Sequence, residues 1–164
     1  MSEVLFLDYS KDPDVLPGID RLCRTSGILE AISRGDSVAV KLHMGELGNV
    51  TYIRPALVRK VVDLVKERGA KPFVTDTVSL YPGRRDSRNK YLSTAAYNGF
   101  VKETMGAPVV IADGDGDEGR QVAVETTVGG CDLREVHVAA GVAEADFLLV
   151  LSHVKGHMIT GFGG

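Results

Sequence analysis

The strongest constraint on this chain is an alternation. Short, unbroken apolar runs recur along it, each separated from the next by a stretch with helical spacing. The runs are residues 4–7, 37–42, 72–75, 108–112 and 147–151, broken only by Lys41 and by the flanking small residues. An unbroken run suits a strand buried on both faces, as in a parallel sheet. Strands that alternate with helices need crossover connections, which set the strands parallel and are right-handed. The expected fold class is α/β: a mainly parallel open sheet with helices on both faces. A small antiparallel excursion is expected near residues 121–139, where two short strands (122–126 and 135–139) flank a turn containing Gly129 and Gly130.

The clearest helix is 53–68. Pro55 suits its first turn, and Gly69 is placed to end it. Leu57, Val61, Leu64 and Val65 form one stripe, widened by Val58 and Val62. Residues 19–32 read as helical with an interruption near Ser26 and Gly27. Residues 86–105 read as one helix with Tyr91, Ala95, Ala96 and Phe100 toward the core. A short helix at 140–144 leads into the last apolar run. A length of 164 residues favours a single domain, 1–164. After residue 151 the chain runs through a glycine-rich segment with nothing to cover the last strand. It is therefore expected to be the N-terminal part of a longer protein.

Several classes are set aside by composition. The net charge of −3 gives no global attraction to nucleic acid or anionic lipid. No apolar run approaches the roughly 20 residues of a membrane-spanning helix. The start, Met1-Ser2-Glu3, has no basic region before its apolar run. The expected location is cytoplasmic. Cys23 and Cys131 are too few and too far apart for a disulfide scaffold. They also cannot supply the four thiolates of an iron–sulfur cluster.

Chemically capable residues follow four of the apolar runs. His43, Glu46 and Asn49 follow the second; Asp76 and Thr77 the third; Asp113 the fourth; Ser152, His153, Lys155 and His157 the last. In a parallel sheet these all fall at the carboxyl edge, where open α/β folds bind ligands. The bland alternative is that loops at strand ends are polar anyway. His43 and Glu46 are the acid/base candidates. Asp76 would orient a histidine or the ligand, and Lys155 would meet an anion or form a covalent adduct. Lys41, Asn49, Thr77, Thr160, Gly161, Gly163 and Gly164 are candidate ligand contacts. His153 and His157, four apart, would share a helix face and could hold a divalent metal, although Gly156 between them works against a helix. Arg84, Arg85, Arg88 and Lys90 form a basic cluster that either holds an anion or is a solvated loop face.

Two motif matches fail on context. Gly114 to Gly119 fits G-x-G-x-x-G, but Asp115, Asp117 and Glu118 would repel a pyrophosphate, and a strand follows instead of a helix. Asp113, Asp115 and Asp117 open like a calcium loop, but Glu118 replaces its glycine and Val124 its final glutamate.

Taken in order, Val40-Lys41-Leu42-His43-Met44-Gly45-Glu46-Leu47-Gly48-Asn49, then Arg68-Gly69-Ala70-Lys71-Pro72-Phe73-Val74-Thr75-Asp76-Thr77, then Leu151-Ser152-His153-Val154-Lys155-Gly156-His157 and Thr160-Gly161-Phe162-Gly163-Gly164 resemble the family called domain of unknown function 362. The resemblance implies a ferredoxin-like partner domain with two [4Fe–4S] cysteine sets, lying beyond this chain. A shorter similarity to the nickel-pincer lactate racemases raises interest in His153, Lys155 and His157.

Two functions are expected from this reading. One is an enzyme, or its substrate-binding half, acting on a small anionic molecule in redox metabolism. The other is a non-catalytic docking or scaffold module for an electron-transfer domain. A pocket lined by these side chains favours the first, and a flat apolar patch the second. Residues 153–164 are expected to be poorly ordered or ordered by another molecule, with Met158, Ile159 and Phe162 free to dock on a neighbouring chain, a second copy of this protein included.

Overall fold

The computed structural model describes residues 3–114, 120–127, 129 and 132–163. Cys131, Gly164 and residues 115–119 of the two rejected motifs lie outside the described residues. The elements in chain order are α1 (Val15–Thr25), β1 (Ser37–Lys41), α2 (Pro55–Glu67), β2 (Lys71–Asp76), α3 (Arg88–Tyr97), α4 (Lys102–Met105), β3 (Val109–Ile111), β4 (Gln121–Glu125), β5 (Glu135–Ala139), α5 (Ala140–Ala143), β6 (Phe147–Val150), β7 (Lys155–His157) and β8 (Gly161–Gly163).

Four strands form the main sheet in the order β3-β2-β1-β6, and every pair is parallel. The antiparallel excursion is present as the β4–β5 pair, in register from Gln121↔Ala139 to Glu125↔Glu135. The molecule is therefore α/β, as the alternation predicts.

Register separates the two sheet faces. Val38, Val40, Val74, Ile111 and Leu149 share one face and belong to one buried cluster. That cluster takes Val58, Val61, Val62, Leu64 and Val65 from α2, Tyr91 and Ala95 from α3, and Met105 from α4, with Ile19 and Cys23 of α1 packed against it. The stripe predicted for α2 is thus its buried face. On the opposite face Ala39 and Thr75 are fully buried, but Leu148 and Val150 at the edge strand are exposed. β6 is apolar throughout yet buried on one face only.

Three expectations are corrected. Residues 4–7 form no strand: Val4 and Phe6 are 87% and 85% exposed, Leu5 and Leu7 are half-buried, and Leu7 lies against Gly18. An apolar run with no neighbouring strand to pair with cannot satisfy its backbone as a strand. The 86–105 helix is two helices, broken at Asn98–Val101, where Gly99 adopts φ +91°. Ala96 consequently faces solvent, while Phe100 reaches the core through the break. The segment 153–164 is not without structure, since Lys155 to Gly163 form the β7–β8 hairpin.

Candidate functional site

The ladder carries all four strands to one edge. Leu42 N–H donates to Thr75 O (3.1 Å), Leu151 N–H to Lys41 O (2.9 Å) and Ala112 N–H to Asp76 O (2.9 Å). His43, Thr77, Asp113 and Ser152 are the next residues out, all at the carboxyl edge. Asp113 braces this edge: its carboxylate accepts Val78 N–H at 3.0 and 3.1 Å.

The loop after β1 is held from beneath. Met44, fully buried, donates its N–H to Tyr91 Oη (3.2 Å), and its carbonyl accepts from Asn98 Nδ2 (2.9 Å). Tyr91 Oη in turn donates to Asp76 Oδ2 at 2.5 Å, and Lys41 Nζ lies 3.2 Å from Asp76 Oδ1. Burial, then the Asp76 charge, push the Tyr91 phenol well above its ordinary pKa, so it stays a donor. A Cβ at Gly45 (φ +85°) would sit 2.6 Å from Asn98 Nδ2 and Tyr52 Cδ1, so the turn admits only glycine. Arg85 pairs with Glu46 and stacks over the Tyr91 ring at 5.3 Å. The Arg85 hydrogen bond holds the Glu46 carboxyl below its usual range.

A cavity of about 240 Å³ opens beside this loop, lined by His43, Asn49, Thr51, Tyr52, His153, Lys155, His157 and Gly163. Three of its polar side chains share a property. His43 Nδ1 accepts Gly45 N–H (3.0 Å). His157 Nδ1 accepts the N–H groups of Ile159 (3.3 Å) and Thr160 (3.2 Å). The Thr160 hydroxyl, 3.0 Å from that nitrogen, has its own acceptor in Phe162 O at 2.7 Å. A backbone N–H can only donate, so the ring proton of the neutral form sits on Nε2 in each of the two histidines. Asn49 Oδ1 accepts from Thr51 N–H and from the Thr51 hydroxyl, both at 2.8 Å, and among the described residues the Asn49 amide N–H groups have no partner. Among the described residues, the Lys155 ammonium has no ion pair. His43, His157 and Asn49 thus each have their acceptor occupied and a donor left over, and the Lys155 ammonium carries donors only. Burial first, and then the charge of Arg85, lower the His43 pKa, so His43 is neutral at physiological pH.

The structure thus brings together His43, Asn49, His153, Lys155, His157 and Gly163 from the candidates. It does not bring in the others. Glu46 lines a separate cavity of about 270 Å³ with Ser79, Tyr81, Arg84 and Arg85. Asp76 and Lys41 lie under the site and serve Tyr91. Thr160 is spent in the hairpin turn, Gly161 opens β8 with φ +77°, and Thr77 lines none of these cavities. Lys90 of the basic cluster pairs with Asp86. Tyr91, Asn98 and Tyr52 are the residues sequence reading did not assign to the site. Tyr91 carried a signal only of burial, because its apolar spacing says nothing of where its hydroxyl reaches.

Metal binding meets an obstacle of tautomer. A histidine that ligates through Nε2 carries its proton on Nδ1 and donates it to a neighbour. In His43 and His157 that nitrogen already faces backbone N–H donors. Among the described residues, no group of three or more His, Cys, Asp or Glu could hold a metal ion. No described helix is long and apolar enough to cross a membrane.

The chain belongs to the family described as "Domain of unknown function (DUF362)", whose family model matches residues 38–164. No curated protein and no solved structure matches the chain.

Proposed function

We propose that this chain is the substrate-binding half of an enzyme that acts on a small anionic molecule, and that the anion sits in the cavity between the His43 loop and the C-terminal hairpin. One observation carries the reading: His43, Asn49 and His157 all have their acceptors consumed by backbone N–H groups, which leaves donors facing a ligand beside Lys155. A cavity furnished with N–H donors and an ammonium is built for a carboxylate or phosphate. His43 is then an electrophilic donor to negative charge and not a base, since its second nitrogen is already protonated. Glu46, tied to Arg85, is removed from acid/base duty at this cavity. The family resemblance supports a role in redox metabolism and a ferredoxin-like partner carrying the [4Fe–4S] clusters.

The test is titration of the chain with acetate, malonate and inorganic phosphate, followed by amide chemical shifts. At least one should perturb Gly45, Ile159 and Thr160. Lys155→Ala should weaken that binding by at least about tenfold, as expected for loss of one charged hydrogen bond. Failure of all three anions to bind, or an unchanged affinity in the variant, would overturn the reading.

A second reading, a docking module for an electron-transfer domain, is favoured by one observation. Val154, Met158, Ile159 and Phe162 are all exposed along the same hairpin. Anion binding with no shift at the hairpin amides would move weight to that reading.

A further inference from the structure

The anion cavity has an apolar neighbour. A second cavity, of about 330 Å³, lies between Ile19 and Leu22 of α1, Leu57 and Val61 of α2, Ile53 just before α2, and Ser152 after β6. No charged residue lines it. The two cavities are lined by adjacent residues on two separate segments. Tyr52 lines the polar one and Ile53 the apolar one; His153 lines the polar one and Ser152 the apolar one. Residues joined by one trans peptide have Cα atoms about 3.8 Å apart, so on each segment the change from polar to apolar wall takes a single step.

We infer that the two cavities hold one ligand: a small amphipathic acid whose anionic head meets Lys155 and whose aliphatic tail lies in the α1–α2 cavity. This rests on the anion reading above and narrows its substrate class. Three features select an aliphatic tail as the occupant. The walls are branched aliphatic side chains plus the Cys23 thiol, which burial and the nearby Asp20 charge keep protonated and uncharged. Nothing there would bond a second polar group except the Ser152 hydroxyl at the mouth. The polar cavity, about 240 Å³, falls below the range of about 300–1,000 Å³ typical of small-molecule sites, and the two volumes together fall within it.

The experiment is a calorimetric titration of the chain with straight-chain carboxylates from acetate to octanoate and with the matching primary alcohols. Kd should fall by about fourfold for each added methylene, the factor set by burying one CH₂ group, until the tail cavity is full. The alcohols should bind more weakly than the carboxylates at every length. Lys155→Ala should weaken all carboxylates by the same factor and keep the slope, whereas Leu57→Asn should flatten the slope. Should Leu57→Asn fail to fold, Cys23→Phe, which fills the cavity, provides the same reading. Carboxylates that bind with no dependence on length would overturn the two-cavity ligand and leave the anion reading standing. So would concentration-dependent dimerisation that length does not perturb, because a second copy would then cover the apolar cavity. Alcohols that bind as well as carboxylates would overturn the coupling of tail to head. No binding by any member, with malonate and inorganic phosphate failing as well, would overturn the anion reading itself.

Discussion

The cavity between the His43 loop and the C-terminal hairpin has two walls, and they are built by opposite means. On one side the His43–Glu46 loop is tied into the core. Met44 is fully buried and bonded through both of its backbone groups, to Tyr91 and Asn98, and Tyr91 is anchored to Asp76. On the other side the β7–β8 hairpin is fixed mainly by bonds within itself: three strand pairs and the turn bonds to His157. Phe162 on that hairpin is 79% exposed, while Tyr91 beneath the loop is 0% exposed. One wall is preorganised by the fold. The other keeps its geometry by local hydrogen bonds in water, which are worth less. The cavity therefore has one half tied into the core and one half held mainly by its own local bonds.

Mutation should expose this difference most sharply at its extremes. Tyr91→Ala should lower unfolding free energy by about 3–5 kcal/mol, the range for a buried aromatic truncated to alanine. Phe162→Ala should change it by no more than about 0.5 kcal/mol, as at an exposed position. Urea denaturation of both variants decides the matter, and comparable losses would break the contrast between the walls.

A finer probe removes a single oxygen. Tyr91→Phe leaves the Asp76 carboxylate and the Met44 N–H without their partner, which should cost about 1–3 kcal/mol. His157→Ala should leave global stability nearly unchanged. It should instead speed amide exchange at Ile159 and Thr160, with Met44 still protected. Hydrogen exchange that is equally fast at Met44 and Thr160 in the unmodified chain would contradict the ranking.

The smallest effect is one of pH. His43 is held neutral in the folded state by burial and by Arg85, so its folded pKa lies below the unfolded one. As pH falls below about 6.5, the unfolded chain takes up a proton that the folded chain refuses. Stability is then lost on acidification until the folded pKa is reached, with a slope of at most about 1.4 kcal/mol per pH unit. His43→Gln should remove this part of the slope and leave stability above neutral pH little changed. Denaturation midpoints at a series of pH values would show whether the two curves run parallel, an outcome that would place His43 outside the buried wall.

The sheet was legible in the sequence because burial in a parallel sheet writes unbroken apolar runs, and β1, β2, β3 and β6 all carry them. Residues 4–7 carry the same signature without a neighbouring strand, and composition alone does not register that lack. The hairpin was illegible for the reverse reason. Lys155-Gly156-His157 and Gly161-Phe162-Gly163 lack β-branched alternation, and their glycines raise the entropy of ordering. What holds the turn is the His157 ring nitrogen accepting two backbone N–H groups. The convergence of His43, His153, Lys155 and His157 followed from strand direction alone. The separation of Glu46 and Asp76 from that cavity did not, because it depends on Arg85 and Tyr91 bonding partners far away in sequence.

Strand order also dictates when the cavity comes into being. β1, β2 and β3 are linked by nearby connections, but β6 completes the sheet against β1, and the Ser37–Asp146 clasp at its start spans 109 positions. Closing so long a loop is slow, so the β1–β6 pairing belongs late in folding. On the ribosome, the His43 loop will have left the tunnel, with Met44 free to find its bonds to Tyr91 and Asn98, before Lys155 is synthesised. A ligand that needs both walls has nothing to grip on the way to the native state. It should slow unfolding without hastening folding, acting as a latch on the finished molecule and never as a template for it.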